Sequence, residues 1–530
     1  MKKYIYIVTL TAGLFSACTD LDTYPEGAII TEDQKNDVNE EQPDKAMTAA
    51  ANSIMAAFYR NNAIFDGDFD FGYPGMMISM DTRGYDMVST TNLYNWFLEP
   101  LSFDDISYDH RFNRFFWSTL YNQIYICNQL LKQVPNGEST TPTTRFYQAQ
   151  AYATRAFDYW VLAQIYQQTY VGHESFPCVP IVTEANDEKI AYEGVPRSSV
   201  EDVYAQILSD LGQALNLLEN NTTHRMDKRF VDEATVHGLR ARVFLTMQRW
   251  TDALSDAEVA IAGAGAPYYR EEAAIPSFIS STDHAWMWGI VTATTDDVVN
   301  TIISNFPSHI CTFIGEGYTQ HDAYRMVNKK LFNSINKSDV RRGWWLDENR
   351  LSINLNTTQA AYMAQKGFPP YTSVKFAPYN NEVGTSLNAS DIPLMRVEEM
   401  YLIKAECLGM SGRLAEGRQF LQEFIQNYRD ANYECTAGTA QTFQDEVYRQ
   451  RRIELWGEGM SYFDILRLGK NMDRRGGGYI NPEIIYNIPA GDDVLIYRIP
   501  QSEEEQNVQI SSDDNNPTPT KPVAVADVEE

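Results

Sequence analysis

The sequence predicts a mainly α-helical fold, in which helical hairpins form a scaffold that carries long loops and a few short strands. Three observations lead to this prediction. Apolar residues recur at three- and four-residue steps along the middle of the chain, a helical-hairpin pattern occurs twice, and loops rich in Gly, Pro, Asn and aromatic residues separate the helices. The chain has 530 residues, of which 44% are hydrophobic, and this is enough for a large core.

The chain begins with the pattern of an export signal. Met1 to Lys3 is basic, Tyr4 to Phe15 is mostly apolar, and the small residues Ser16 and Ala17 follow. The apolar part is shorter than the roughly 20 residues that a membrane-spanning helix needs. We therefore expect residues 1–17 to be a signal peptide.

Cys18 directly follows this segment. Leu14 to Cys18, read "LFSAC", resembles a bacterial lipobox, in which the cysteine is lipidated and becomes the new N-terminus. An ordinary signal peptide with a nearby cysteine is the alternative. Asp20 and Asp22 resemble the acidic export tag of Bacteroidetes surface lipoproteins. The prediction is a lipidated tether over residues 18–43 and a lipid-anchored protein on the outer face of the outer membrane.

The composition narrows the classes of partner and of site. A net charge of −28 disfavours binding to nucleic acid and to anionic lipid. Besides Cys18, the five other cysteines are scattered, and their spacing indicates neither a disulfide framework nor a metal site. We expect them to be buried thiols.

Three amphipathic helices are predicted in the first half of the chain. Each shows one stripe of apolar or small residues, and Ser198 or Ser199 is the expected cap of the third. The stripes are Trp117, Tyr121, Ile124 and Asn128; Ala149, Ala153, Ala156 and Trp160; and Val203, Ile207, Leu211 and Leu215.

Two later segments match a tetratricopeptide unit, which is a pair of antiparallel helices. Generic helical hairpins are the alternative, but two matches favour a repeat whose units stack. Gly412 lies at the turn of the second unit, and "AWMWGIV", at residues 285–291, predicts a short strand. The matching positions are Ala241, Phe244, Ala253, Ala257 and Ala260, then Ala405, Leu408, Gly417, Leu421 and Phe424.

Motifs for catalysis and metal binding are scarce. The sequence has no HExxH, GxSxG, Walker or dinucleotide-binding motif, and we predict no cofactor and no metal. Asp66, Asp68 and Asp70 resemble a calcium loop only weakly, because Gly72 and Met77 occupy the wrong positions for its glycine and its glutamate. A pair of carboxylates that hydrolyses glycosides stays open, since the spatial separation of acids is invisible in a sequence.

Four segments resemble conserved parts of the SusD/RagB family. They occur in the family's order and, with the lipobox, span nearly the whole chain. Ser461 departs from the pattern, because the family often has a basic residue there. The segments are the helix with Trp117, Tyr121 and Asn128; "PLMRVEEMYLIKAE" with Arg396, Glu399 and Glu406; "RRIELWGEGMSYFDILRLGK" at residues 451–470; and "IPQSEEEQN" with Pro500, Glu503 and Asn507.

The resemblance implies a SusD-like fold and a function in nutrient uptake. Proteins of this family are surface lipoproteins that bind glycans, or peptides in some branches, and deliver them to a SusC-type TonB-dependent transporter; they are not enzymes. It implies an N-terminal SusD-like region at 44–270 and a C-terminal SusD/RagB region at 271–510. We expect the acidic tail, 511–530, to be partly disordered. A surface glycosidase is a third, less favoured hypothesis.

The charges of the C-terminal signature are expected to form a structural network rather than a binding site. Arg451 and Glu454 lie three residues apart on a helix and are predicted to pair, while Asp464 and Arg467 follow on the next turn.

Two loops are predicted to bind the ligand. "DTRGYDMVSTTNLYNWF", at residues 81–97, and "PSHICTFIGEGYTQHD", at residues 307–322, are polar, aperiodic and aromatic. Trp117, Trp286, Trp288, Trp344 and Trp345 are instead expected in the core. The predicted ligand-binding residues are Trp96 and Tyr318 as stacking rings, Tyr94 beside them, and Arg83, Asp86 and Asn92 as hydrogen-bonding partners.

Overall fold

A computed structural model describes residues 42–65, 67–134 and 141–528. The predicted signal peptide, the lipobox and Cys18 lie outside these residues. The prediction of a mainly α-helical fold is confirmed. Within the described ranges, no helix is both long enough and apolar enough to cross a membrane.

The helices have the following bounds: α1 Pro43–Ala57, α2 Tyr73–Arg83, α3 Leu98–Ser102, α4 Arg111–Lys132, α5 Pro142–Tyr166, α6 Asp187–Glu193, α7 Val200–Leu218, α8 Glu233–Thr246, α9 Trp250–Gly263, α10 Arg270–Ala273, α11 Asp297–Asn300, α12 Phe306–Ile310, α13 Lys329–Asn333, α14 Thr357–Lys366, α15 Val397–Met410, α16 Leu414–Tyr428, α17 Ala440–Glu454, α18 Ser461–Arg467 and α19 Gln501–Gln506.

The strands form three small antiparallel sheets, each of two strands. In the first sheet Met87 pairs with Val327, and in the second Trp286 pairs with Arg396. The sheets join β1 to β3, β2 to β4 and β5 to β6, with bounds β1 Met87–Ser89, β2 Trp286–Ile290, β3 Arg325–Val327, β4 Ile392–Arg396, β5 Met472–Asp473 and β6 Asn487–Ile488.

Packed helical hairpins form the scaffold. Helix α5 packs against α4 and α7, α8 pairs with α9, and α15 pairs with α16. Helix α9 also packs against α15, which joins the two predicted tetratricopeptide units. Gly412 has φ +85° at the turn of the second unit, a conformation that favours glycine. Ser199 accepts a hydrogen bond from the backbone N–H of Asp202 (3.1 Å) and is the cap of α7.

The tryptophans expected in the core are buried. Trp117 is 5% exposed, and Trp286, Trp288, Trp344 and Trp345 are each 1% exposed. The predicted strand at 285–291 is confirmed as β2.

The charges of the C-terminal signature are buried and paired, as the structural interpretation expected. The predicted pair of Arg451 with Glu454 is wrong. Arg451 instead donates to Asp464 at 2.7 Å, because it faces α18. Glu454 faces Arg429, which donates to both of its carboxylate oxygens at 2.8 Å. Asp464 also accepts a hydrogen bond from Arg467 at 2.7 Å, so these two residues do pair.

The described part of the acidic tail contacts the body of the protein, for example through Asn516 and Val525. The side-chain amide of Asn516 donates to the carbonyls of Tyr166 and Tyr497, both at 2.7 Å. The backbone N–H of Val525 donates to the carbonyl of Ile485 at 2.8 Å.

Candidate functional site

The pairing of β1 with β3 brings the two predicted binding loops together. The chain that follows β1 lies beside the chain that precedes β3. The Thr90 hydroxyl donates to the carbonyl of Asp322 at 2.6 Å, and the Asn92 amide donates to the carbonyl of His321 at 3.4 Å. Residues more than 220 positions apart in sequence therefore form one surface.

Aromatic rings occupy this surface. Tyr94 is 54% exposed, and its ring centroid lies 5.3 Å from that of His321. Trp96 is half-buried and meets Tyr318 edge to face, with centroids 6.3 Å apart. Leu93 is 95% exposed beside them. Rings of this kind can stack on the weakly apolar face of a sugar.

Tyr318 is fixed in position by contacts with Asp68 and His309. Its hydroxyl donates to the carboxylate of Asp68, and its ring stacks on His309 with centroids 4.7 Å apart. Burial, followed by the neighbouring carboxylate, raises the pKa of Tyr318, so its hydroxyl stays protonated and remains a donor. Because Tyr318 is only 7% exposed, little of its surface is available to a ligand.

The prediction that Arg83 and Asp86 bind the ligand is wrong. Arg83 is 0% exposed and donates to Asp105 at 2.5 Å and to the carbonyl of Val494 at 2.7 Å. Asp86 is 1% exposed and accepts from Arg452 at 2.5 Å. Both residues precede the exposed loop, since α2 ends at Arg83 and β1 begins at Met87.

Ser461, the departure from the family pattern, also contacts Asp86. Its hydroxyl donates to the Asp86 carboxylate at 2.5 Å. The serine therefore takes part in the buried charge network.

Asn95 and Arg325 hold the loop that carries Trp96, and the sequence did not reveal them. Asn95 donates to the carbonyl of Thr90 at 2.7 Å and accepts from the backbone N–H of Phe97 at 3.2 Å. Arg325 donates to the same Asn95 oxygen at 3.0 Å. It is fully buried without a carboxylate partner in the described part of the chain, and this burial lowers its pKa to about 9.

The aspartates of the calcium-like segment have other partners. Asp70 accepts from the backbone N–H groups of Ile64 and Phe65, both at 2.6 Å, whereas Asp68 accepts from Tyr318 and Ser304. Asp66 lies outside the described residues. Among the residues that are described, no three His, Cys, Asp or Glu side chains lie together so that they could hold a metal ion.

Two family models match the chain, one in each half. Residues 35–245 match a SusD-like model described as starch-binding and associating with the outer membrane. Residues 312–522 match the model of the SusD family.

Known proteins are similar over nearly the whole chain. A SusD-like protein of Formosa agariphila is 22% identical, covering 90% of this chain and 94% of its own. The structure of a SusD-like carbohydrate-binding protein from Bacteroides vulgatus aligns with a TM-score of 0.74 at 24% identity, over 89% of this chain and 98% of that one. A laminarin-binding SusD-like protein aligns with a TM-score of 0.62 at 17% identity, over 90% and 98%. These structural likenesses show a shared fold, and with the two model matches they confirm the resemblance: the chain belongs to the SusD/RagB family.

Proposed function

We propose that the protein is a cell-surface lipoprotein that captures oligosaccharides or polysaccharides and delivers them to a SusC-type TonB-dependent transporter. The observation that carries the proposal is the meeting of the two loops, which sets Tyr94 and Trp96 on one exposed surface with Asn92 beside them. Rings supply stacking and the Asn92 amide supplies hydrogen bonds to hydroxyl groups. Family membership supports glycan binding as the role of this surface.

Trp96→Ala is expected to weaken glycan binding. Removal of one stacking ring should reduce the affinity at least tenfold, which corresponds to about 1.4 kcal/mol. A glycan array on the wild-type protein first identifies a ligand, and titration calorimetry then compares the variants.

Tyr192→Ala is the matched control, because Tyr192 is 88% exposed on α6 and does not belong to the loop surface. This variant should bind as the wild type does. An unchanged affinity in a folded Trp96→Ala protein would remove Trp96 from the site.

The alternatives are oligopeptide binding on the same scaffold and glycoside hydrolysis. A peptide library screened in parallel with the glycan array tests for oligopeptide binding, because a peptide-binding protein would give signals in the library and not on the array. Release of reducing sugars by the purified protein, lost on replacement of carboxylates, would indicate hydrolysis. We expect no release.

Lipidation of Cys18 is proposed as the membrane anchor. Cys18→Ser should abolish the incorporation of labelled fatty acid and move the protein from the outer-membrane fraction to the soluble fraction, because the acyl groups on Cys18 are the proposed anchor. Cys127→Ser, which replaces a buried thiol, is the control and should remain in the membrane fraction. An unmodified N-terminus in the mass spectrum of the wild-type protein would contradict this proposal.

A further inference from the structure

A cavity lies apart from the surface that the two loops form around Trp96. It has a volume of about 550 Å³ and opens between the C-terminal half of α1 and the chain that follows β2. Asn92, Tyr94, Trp96 and Tyr318 do not line it. Its volume falls within the range of about 300–1,000 Å³ that is typical of small-ligand sites.

The walls of the cavity carry polar groups that the protein itself leaves largely unused. Arg60 is exposed and has neither an ion pair nor a hydrogen bond to any residue that the structure describes. Among the residues that the structure describes, the only donor to the carboxylate of Asp297 is the adjacent backbone N–H of Val298, at 2.7 Å. Asp296 accepts from the backbone N–H of Ala293 at 2.8 Å through one of its two oxygens. The cavity is therefore lined by the N–H donors of the Arg60 guanidinium and by the carboxylates of Asp296 and Asp297.

The floor of the cavity is apolar. Met55, Trp288 and Leu394 line it, and each is nearly buried. A ligand that fits must present an apolar face to this floor and hydrogen-bonding groups to the walls. Sugars have both, because C–H groups cover one face of the ring and hydroxyls extend from its edge.

The charges of the walls indicate what kind of sugar fits. Arg229 is already paired with Asp227 at 2.9 Å, so Arg60 faces the two carboxylates of Asp296 and Asp297, and the cavity disfavours an anion. The protein as a whole carries −28, which further disfavours an acidic glycan. An uncharged ligand with many hydroxyls matches these walls best.

We propose that this cavity is a second glycan-binding site, which takes a neutral segment of two or three sugar units. The inference rests on the proposed glycan-binding function and adds a separate site to it. The two sites are close in the sequence. Arg60 lies eight residues before Asp68, and Asp297 lies seven residues before Ser304. Asp68 accepts hydrogen bonds from both Ser304 and Tyr318, and Tyr318 belongs to the first site.

The test is saturation-transfer NMR with the neutral disaccharides maltose, cellobiose, laminaribiose and xylobiose at millimolar concentration. The Trp96→Ala protein should retain a signal from at least one of them. The triple variant, which adds Arg60→Ala and Asp297→Asn, should lose that signal. Both added changes are at exposed residues and should leave the fold intact. Trp96→Ala combined with Arg413→Ala, which removes an exposed arginine of the hairpin turn before α16, is the control and should keep the signal.

Three results would overturn the inference. If Trp96→Ala alone abolishes every signal, the protein has one site and the proposed function stands without the second. If the signal survives in the triple variant, the cavity is not where the sugar binds. If the wild-type protein gives no signal, the cavity is not a site for neutral sugars, and the glycan array decides separately whether the proposed function survives.

Discussion

Glu454→Gln is expected to lower the free energy of unfolding by about 3–5 kcal/mol, because it removes the central negative charge of a buried ionic cluster. Glu454 is 0% exposed. Its carboxylate lies 2.8 Å from Arg429 and 3.2 Å from both Arg341 and Arg396. Burial alone would raise the pKa of Glu454, but the three arginines outweigh this effect and hold the pKa well below its usual range.

The size of the loss follows from what remains after the substitution. Glutamine has nearly the shape of glutamate, so packing is kept, while the arginines stay buried with less compensating charge. Urea unfolding followed by circular dichroism measures the change.

Glu416→Gln provides the matched control, since Glu416 forms an exposed pair with Arg413 at 2.7 Å. Exposed pairs contribute little, and this variant should have nearly the stability of the wild type. A Glu454→Gln protein that is as stable as the control would show that the cluster does not stabilise the fold.

Asp81 is expected to make the protein less stable as the pH rises from about 4 to about 7. Its carboxyl group is buried, and one oxygen accepts from the backbone N–H of Gly459 at 3.1 Å. The other oxygen has no hydrogen-bond partner among the residues described. Burial therefore raises the pKa of Asp81 to about 7 from the 3.8 of an exposed aspartate.

The sign follows from proton binding. Between these two pKa values the folded protein holds a proton at Asp81 that the unfolded chain has released. Unfolding in this window therefore releases a proton, and a higher pH favours unfolding. The loss should approach about 4 kcal/mol across the window, at about 1.4 kcal/mol for each unit of pH.

Asp81→Asn isolates this contribution. Asparagine keeps an acceptor for Gly459 and cannot ionise, so it imitates the protonated aspartate. The variant should match the wild type near pH 4 and exceed its stability at pH 8, while every other titrating group contributes equally to both proteins. Stability curves that run parallel from pH 4 to 8 would contradict the assignment.

The sequence was sufficient for the helices because their signals are local. The stripes at three- and four-residue steps correspond to α4, α5 and α7, and the two hairpins correspond to α8–α9 and α15–α16. The prediction of Arg83 and Asp86 as site residues failed because most of their partners are remote in the sequence. Tyr462, which contacts Arg83, is 379 residues away, and Arg452, which contacts Asp86, is 366 residues away. Composition cannot distinguish such a buried charge from one in an exposed loop.

Only the part of the candidate site that has a local signal in the sequence was predictable. The aromatic content of the loops marked Tyr94, Trp96 and Tyr318, and the structure brings these residues together. The supporting residues Asn95 and Arg325 could not be found, because their contacts depend on the pairing of β1 with β3. A pairing over such a separation leaves no periodic signal in the sequence.

The distant partners of Arg83 and Asp86 also determine when the chain can fold during its synthesis. A nascent chain that has not yet reached Arg452 lacks the groups that neutralise Asp86, and it lacks the hydroxyls of Tyr462 and Tyr497 that bind Arg83. Burial of the Asp86 charge without Arg452 is costly, so an unfinished product should stay open and sensitive to proteases. These long-range contacts therefore tie the burial of Arg83 and Asp86 to the presence of the C-terminal region of the chain.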